Sequence, residues 1–167
     1  MRHHNQNLAA LLQKGDNQRS PAPYRLDAAK PKAFCPHATV NAILSSFSIR
    51  AQKEGISVSI SADTPEESPI ADIDFVAVLS NLLENALNGC KECGSYGEIR
   101  ADIRTVADKV VIVCGNPCRP DLAIENGMLR KRGTGIDSVV LAVRKYDGDI
   151  RYELEDEYLT VCVILNA

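Results

Sequence analysis

The amino-acid sequence predicts an α+β protein with two layers, in which helices cover one face of a mixed, mainly antiparallel sheet. Three observations lead to this prediction. Stretches with helical spacing of apolar residues alternate with stretches in which apolar and polar residues alternate. Two pairs of the strand-like stretches are separated by short turns, which is the spacing of antiparallel hairpins. Helices and hairpins in this order favour one layer of helices on one sheet.

Length and composition indicate one ordinary globular domain plus a tail. The chain has 167 residues, of which 45% are hydrophobic and 25% charged, and this is enough for a real core. The net charge of -3 argues against a nucleic-acid partner, because such binding needs clustered Lys and Arg. No stretch approaches the roughly 20 apolar residues of a membrane span. We expect a cytoplasmic chain, which a membrane sensor could precede in a longer protein.

The N-terminal third predicts two helices and a strand. Residues 1–14 have helical character with three leucines on one side, and residues 15–33 break this pattern with Gly, Pro and small residues, as a connector does. Apolar residues recur at helical spacing over residues 40–54, and Gly55 ends this helix. Residues 56–62 alternate as a strand.

The rest of the chain predicts a long helix, a hairpin and a loop. Asp72 can cap a helix that runs to about residue 92. Residues 97–106 and 108–116 are typical of two strands joined by a tight turn. Residues 117–133 are polar and rich in turn formers, so we expect a mobile loop. The chain should end with a helix and a closing hairpin, at residues 134–146, 148–154 and 158–166.

The long helix contains an unusual line of asparagines. At about 100° per residue its leucines fall on one broad arc, whereas Asn81, Asn85 and Asn88 lie within about 60° of one another on the opposite side. Glu, Lys or Gln would cover a solvated face with better helix propensity. Amide oxygens can bind a hard cation such as Mg²⁺, and amide NH2 groups can donate to phosphate oxygens. A nucleotide-binding surface and a plain solvated face both remain open at this point.

A second element could supply phosphate contacts. Gly133 and Gly135 stand at the start of the next helix, where glycines let the backbone approach a ligand and free N–H groups hold anions. Lys131 and Arg132 add positive charge. Because glycine at a helix start can serve turn geometry alone, it is the combination with the asparagine line that favours an anion site.

The cysteines and histidines have simpler interpretations. Two pairs, Cys90 with Cys93 and Cys114 with Cys118, have a spacing that a four-thiolate zinc site could use. We favour the alternative that Cys90 is a small core residue in a reducing compartment. Cys118, in a predicted loop, should be the most exposed of the cysteines. His37 precedes a helix, and we expect it on the surface.

Two motifs resemble those of a known family. NLLENALNGC, residues 81–90, resembles the N box of the GHKL ATPase superfamily, and GTGI, residues 133–136, resembles its second glycine box. Residues 34–166 are similar to the catalytic and ATP-binding domain of sensor histidine kinases, in the quorum-receptor branch. The resemblance implies a Bergerat-type sandwich that binds ATP between the N-box helix and the mobile loop, which would be the ATP lid.

The resemblance also assigns roles to the matching residues. Asn85 is expected to bind Mg²⁺, and Asn81 to lie near the phosphates one turn earlier. Gly133 and Gly135 are expected to cradle the phosphates with their backbone. The other expected nucleotide contacts are Asn88, Asn116, Lys131, Arg132 and Thr134, with Arg119 and Arg130 joining after the lid closes.

Two departures from the family pattern concern adenine and the phosphoacceptor. Asn116 falls where other histidine kinases place an Asp that reads the adenine amino group, and an Asn makes a weaker, uncharged contact. The acceptor in this branch is a histidine followed by an acidic residue, which neither His3 nor His4 matches. We therefore expect the acceptor upstream of this chain. Residues 1–33 would be a remnant of the dimerisation helix plus linker, and residues 34–167 the catalytic domain.

The activity implied is transfer of the ATP γ-phosphoryl to a histidine on a dimerisation helix, with a response regulator as partner and a homodimeric full-length protein. Asn81 and Glu84 are the expected catalytic residues. Glu84 could orient a nucleophile or a water, or be an ordinary surface carboxylate. Two alternatives stay open: a GHKL-like regulatory module with weak or no ATP chemistry, and a serine-phosphorylating anti-sigma factor.

Overall fold

A computed structural model describes residues 33–94, 97–130 and 134–167. These residues belong to one compact unit, Lys32–Ala167. The predicted remnant of the dimerisation helix and its linker, apart from Ala33, lies outside the described residues. No helix within the described ranges is long and apolar enough to cross a bilayer.

The described residues form three helices and seven strands. In chain order these elements are α1 (Ala38–Lys53), β1 (Val58–Asp63), α2 (Asp72–Cys93), β2 (Ile99–Val106), β3 (Lys109–Pro117), β4 (Ile124–Glu125), β5 (Met128–Leu129), α3 (Thr134–Lys145), β6 (Asp149–Glu155) and β7 (Tyr158–Asn166). The main sheet has the order β1-β2-β3-β7-β6. Only the β1–β2 pairing in this sheet is parallel; the others are antiparallel. The predicted α+β class with a mixed, mainly antiparallel sheet is confirmed.

The hydrophobic core lies between the three helices and one face of the sheet. On α2 the side chains of Phe75, Leu79 and Leu83 are at most 2% exposed, as the predicted apolar arc requires. The strands contribute every second residue to the same core, for example Ile112 of β3 and Val163 of β7. The fold is therefore a two-layer sandwich, because all the described helices pack on one side of the sheet.

The loop predicted at residues 117–133 contains a small hairpin that was not predicted from the sequence. Strands β4 and β5 pair with two residues between them, Asn126 and Gly127, both with positive φ (52° and 73°). Asn-Gly is the preferred sequence for a type I′ turn, so the signal was present in the sequence. Each strand is only two residues long, which is too short for an alternating pattern to be visible.

Three local predictions were wrong. Asp72 does not cap α2: the N-cap is Ala71, and Asp72 is the first helical residue. His37 is buried, 5% exposed, because it caps α1 by accepting a hydrogen bond from the Val40 N–H at 3.4 Å. Its ring also packs edge-on against Phe75, with 5.0 Å between ring centroids.

Cys118 is also buried rather than exposed. Strand β3 continues to Pro117, one residue beyond the predicted end, and so carries Cys118 beside the β6–β7 turn. There its N–H donates to the Glu157 carbonyl at 2.8 Å. The strand end was misjudged because Pro is uncommon inside a sheet.

Candidate functional site

Helix α2 divides its faces as the sequence predicts. The leucines pack toward the sheet, whereas Asn85 and Asn88 are exposed and Asn81 is half-buried. The helix is 22 residues long and ends at Gly94, which adopts the left-handed conformation (φ 62°) of a helix C-terminus. The three amides therefore stand on the outer side of one continuous helix.

The start of α3 lies directly against Asn81. A Cβ built on Gly135 would overlap the side-chain oxygen Oδ1 of Asn81. The Asn81 Nδ2 donates to the Ala77 carbonyl at 2.5 Å, one turn back along α2, and this bond fixes the amide plane. Because the oxygen points at α3, a residue with a side chain cannot occupy position 135 without displacing it. The asparagine line and the glycine-started helix, two separate predictions, meet at this contact.

A polar cluster joins the C-terminal end of α3 to the N-terminal end of α2. The Tyr146 O–H donates to the Asp74 carboxylate at 2.6 Å and accepts from the Ala71 N–H at 3.0 Å. Lys145 Nζ lies 2.7 Å from the same carboxylate oxygen. The hydrogen bond from Lys145, followed by that from Tyr146, lowers the pKa of Asp74. Helix α3 therefore runs antiparallel to the N-terminal half of α2 and contacts it near both of its own ends.

Asn116 approaches α2 from the sheet. Its side chain is 5% exposed, and Nδ2 donates to the Pro117 carbonyl at 2.7 Å. A Cβ on Gly89 of α2 would overlap this amide. Gly89 thus lies against a candidate site residue, a contact that the sequence did not predict. The available signal was glycine inside a long helix, which costs about 1 kcal/mol relative to Ala and needs a packing reason.

Glu84 faces a different neighbour from the asparagines. Its carboxylate pairs with the Arg50 guanidinium of α1, and both side chains are about half exposed. The two charges lie at a groove between α1 and α2 with a volume of about 340 Å³. The structure therefore puts Glu84 at the edge of the asparagine face, turned toward α1.

The basic residues of the predicted lid are only partly described. Arg119 pairs with Asp121 through two hydrogen bonds of 2.9 and 3.0 Å, and Arg130 lies 3.4 Å from Glu125. Lys131, Arg132 and Gly133 lie outside the described residues. For Thr134 the structure gives only its place as the first residue of α3.

The cysteines provide no metal site in the described part of the chain. No group of three or more His, Cys, Asp or Glu side chains there could hold a metal ion. Burial raises the pKa of Cys114 to about 12 and that of Cys90 to about 11. These two thiols therefore stay protonated near neutral pH, whereas the reactive form of cysteine is the thiolate.

Residues 70–166 match the family model described as GHKL domain. The chain belongs to the GHKL family. The match covers both α2 and the start of α3, and so includes every described residue of the predicted site. No curated protein sequence matches the chain significantly.

Solved structures of histidine kinase catalytic domains have the same fold. The catalytic domain of histidine kinase ThkA is 16% identical, with a TM-score of 0.62 over 82% of this GHKL chain and 97% of that one. The histidine kinase domain of a blue-light activated kinase from Erythrobacter litoralis is 15% identical, with a TM-score of 0.65 over 84% and 67%. ShkA, solved in complex with AMPPNP, is 14% identical, with a TM-score of 0.56 over 83% and 31%.

Proposed function

We propose that this GHKL domain binds Mg²⁺-ATP and serves as the catalytic domain of a sensor histidine kinase. The single observation that carries the proposal is the contact between Asn81 and Gly135. It brings Asn81, the first of the three amides, to the N-terminal end of a helix, where unpaired backbone N–H groups favour anions. A nucleotide site needs oxygen atoms that bind a metal and N–H groups that bind phosphate. In the proposed site α2 supplies the amide oxygens and the start of α3 supplies the N–H groups.

The residues present suit the expected ligands. Asn85 has an exposed amide oxygen, which is the hard, neutral ligand that Mg²⁺ accepts alongside phosphate oxygens and water. When bound, Mg²⁺ would neutralise charge on the phosphates. Asn81, held by Ala77, would fix the position of the phosphates, and Asn88 would extend the polar face. Asn116 would meet the adenine edge.

Phosphoryl transfer of this kind depends on positioning and charge neutralisation by the protein. The acceptor would be a histidine on a dimerisation helix, with residues 1–33 as part of the connection to it and residues 34–167 as the catalytic domain. Lys131, Arg132, Arg119 and Arg130 would contact phosphates once the lid closes, which requires Arg119 and Arg130 to leave their carboxylate partners. Glu84 would orient the nucleophile only if Arg50 releases it. A response regulator, a homodimer and a cytoplasmic location follow from this role.

Titration calorimetry with Mg²⁺ and AMPPNP tests the proposal. We expect Asn85→Ala to weaken binding at least about tenfold, as loss of a charge-assisted contact of about 1.5 kcal/mol or more would do. Ser80→Ala, an exposed position on the same helix, is the matched control and should bind like wild type. Equal affinity of the two variants would contradict the assignment of Asn85.

The second candidate is a GHKL-like regulatory module without productive ATP chemistry. It is favoured by Asn116, whose amide nitrogen is already bonded to the Pro117 carbonyl. This candidate predicts no calorimetric signal with AMPPNP at any Mg²⁺ concentration. Binding that also requires adenine, shown by weaker binding of the guanine analogue, would exclude it.

A further inference from the structure

The sheet has a second face that the described helices do not cover. On the four strands β2, β3, β7 and β6, every second side chain points away from the helices. We call this surface the open face, and define it by three rows of residues that run across the strands. The rows are Arg104–Val111–Ile164–Asp149, Asp102–Val113–Cys162–Arg151 and Arg100–Gly115–Thr160–Glu153.

The open face has an apolar centre and charged edges. Val111, Val113, Cys162 and Ile164 occupy the two central strands, and each is half-buried. The flanking strands carry two ion pairs within single strands: Arg104 with Asp102 at 2.8 Å, and Arg151 with Asp149 at 2.8 Å.

The charges are arranged in a particular order. Within these four strands each row has an arginine at one end and a carboxylate at the other, and the direction reverses between the first and second rows and again at the third. The two ion pairs therefore point in opposite directions in space. The edge strand β1 lies beyond β2 and adds Asp63 beside Arg104.

Beyond Arg100 the next row has no residue of β2, which begins at Ile99. Beyond Arg104 the row Val106–Lys109–Asn166 has no residue of β6, which begins at Asp149. Only these three rows therefore span all four strands.

We propose that the open face binds the open face of a second copy of this chain. The two-fold axis of this dimer lies in the plane between the two sheets. It runs parallel to the strands and passes over the line between β3 and β7. Such an axis places each row over the same row of the second copy, with the order of the strands reversed, so that β2 lies over β6. Arg104 therefore meets Asp149 of the second copy. By the same operation Asp102 meets Arg151, and Arg100 meets Glu153. The apolar centres then cover each other, with Val111 over Ile164.

The charge order selects this axis over the obvious alternative. A two-fold axis in the same plane but perpendicular to the strands would place the first row over the third, and thus Arg104 over Arg100. Like charges directly opposite one another are unfavourable. In the proposed arrangement each ion pair instead faces the reversed ion pair of the second copy, which gives a ring of four alternating charges on each side of the apolar centre.

The size of the open face predicts a weak association. Four strands about 4.8 Å apart and three rows about 7 Å apart cover about 400 Å² on each copy. A stable interface takes about 800 Å² per partner. The dimer should therefore form only at high protein concentration and weaken as salt is added, because its edges are held by exposed charges.

Sedimentation equilibrium of the complete chain at low salt tests this proposal. We expect Arg104→Asp to weaken dimerisation at least about tenfold, since it sets two carboxylates opposite each other twice in the symmetric dimer. Asp149→Arg should have the same effect for the opposite reason. The double variant Arg104→Asp/Asp149→Arg restores opposite charges across the interface and should dimerise within about threefold of wild type.

The double variant separates dimerisation from folding of the monomer. Both within-strand ion pairs stay broken in it, so its unfolding free energy should show the sum of the two single effects, whereas dimerisation recovers. Lys53→Glu, a charge reversal on α1, is the control and should dimerise like wild type. A dimer that survives Arg104→Asp, a double variant weaker than both single variants, or a wild-type chain that stays monomeric at millimolar concentration would each overturn the proposal.

Discussion

The contact between Gly135 and Asn81 makes a prediction in which stability and ligand binding separate. In Gly135→Ala the new Cβ overlaps Asn81 Oδ1, so the Asn81 amide must rotate and lose its bond to the Ala77 carbonyl. Losing that hydrogen bond costs about 1 kcal/mol. Replacing glycine by alanine in a helix returns up to about 1 kcal/mol. The free energy of unfolding should therefore stay within about 1 kcal/mol of wild type.

Nucleotide binding should respond much more strongly to the same substitution. In the proposed site Asn81 contacts the phosphates, so a rotated amide would lose that contact, and a hydrogen bond to a charged group contributes about 1.5–3 kcal/mol. We expect Mg²⁺-AMPPNP to bind about 10 to 100-fold more weakly. Urea unfolding and titration calorimetry on the same sample measure the two quantities. Ser138→Ala, an exposed position on α3, is the control.

A double variant tests whether the overlap is the cause. In an Asn81→Ala background there is no amide for the Cβ to displace, so Gly135→Ala should stabilise the protein by its full helix-propensity gain, up to about 1 kcal/mol. If Gly135→Ala has the same effect on unfolding in both backgrounds, or binds nucleotide as wild type does, the reasoning from this contact is refuted.

Two further predictions concern the other contacts of α2. Because Lys145 and Tyr146 lower the pKa of Asp74, the folded state holds its proton less tightly than the unfolded one. The stability that this carboxylate contributes is present above pH about 4, and it is lost as the pH falls through the lowered pKa. The Tm difference between wild type and Asp74→Asn should therefore be largest near neutral pH and should vanish at strongly acidic pH. Gly89→Ala places a Cβ on the Asn116 amide and 3.4 Å from the Pro117 carbonyl. Overpacking against this strand costs about 1–3 kcal/mol, of which the helix propensity of alanine returns up to about 1 kcal/mol. Urea unfolding should therefore show a net destabilisation of up to about 2 kcal/mol, and a midpoint above that of wild type would refute the reasoning.

The sequence predicted the elements of the fold well, for a physical reason. The helices and long strands have a periodic burial pattern, and periodicity is visible in a single sequence. Two of the errors occurred at helix ends, where the role of a single residue determines the local structure. His37 became a buried cap because its ring nitrogen could reach the first turn of α1. Asp72 lost that role on α2 because the helix begins at it rather than after it.

The candidate site was predictable in part. The outward line of asparagines followed from helical geometry alone, and the structure has it. The close approach of Gly135 to Asn81, and of Gly89 to Asn116, did not, because contacts between elements distant in sequence depend on how the elements pack. A glycine in the sequence indicates that something lies close to it, but not which residue does.

The contacts of Gly135 with Asn81 and of Gly89 with Asn116 are alike, since each packs a glycine against an asparagine amide, but α2 supplies the asparagine in the first and the glycine in the second. At one, a glycine of α3 receives an asparagine of α2; at the other, a glycine of α2 receives an asparagine of β3. Each amide is also bonded to a backbone carbonyl of its own segment, Asn81 to Ala77 and Asn116 to Pro117, so neither can turn without losing that bond. Glycines thus have two effects in this domain: they let α2 lie close to both neighbours, and they fix the orientation of the amides between them. Loss of either glycine should therefore change the direction of an amide before it changes the fold.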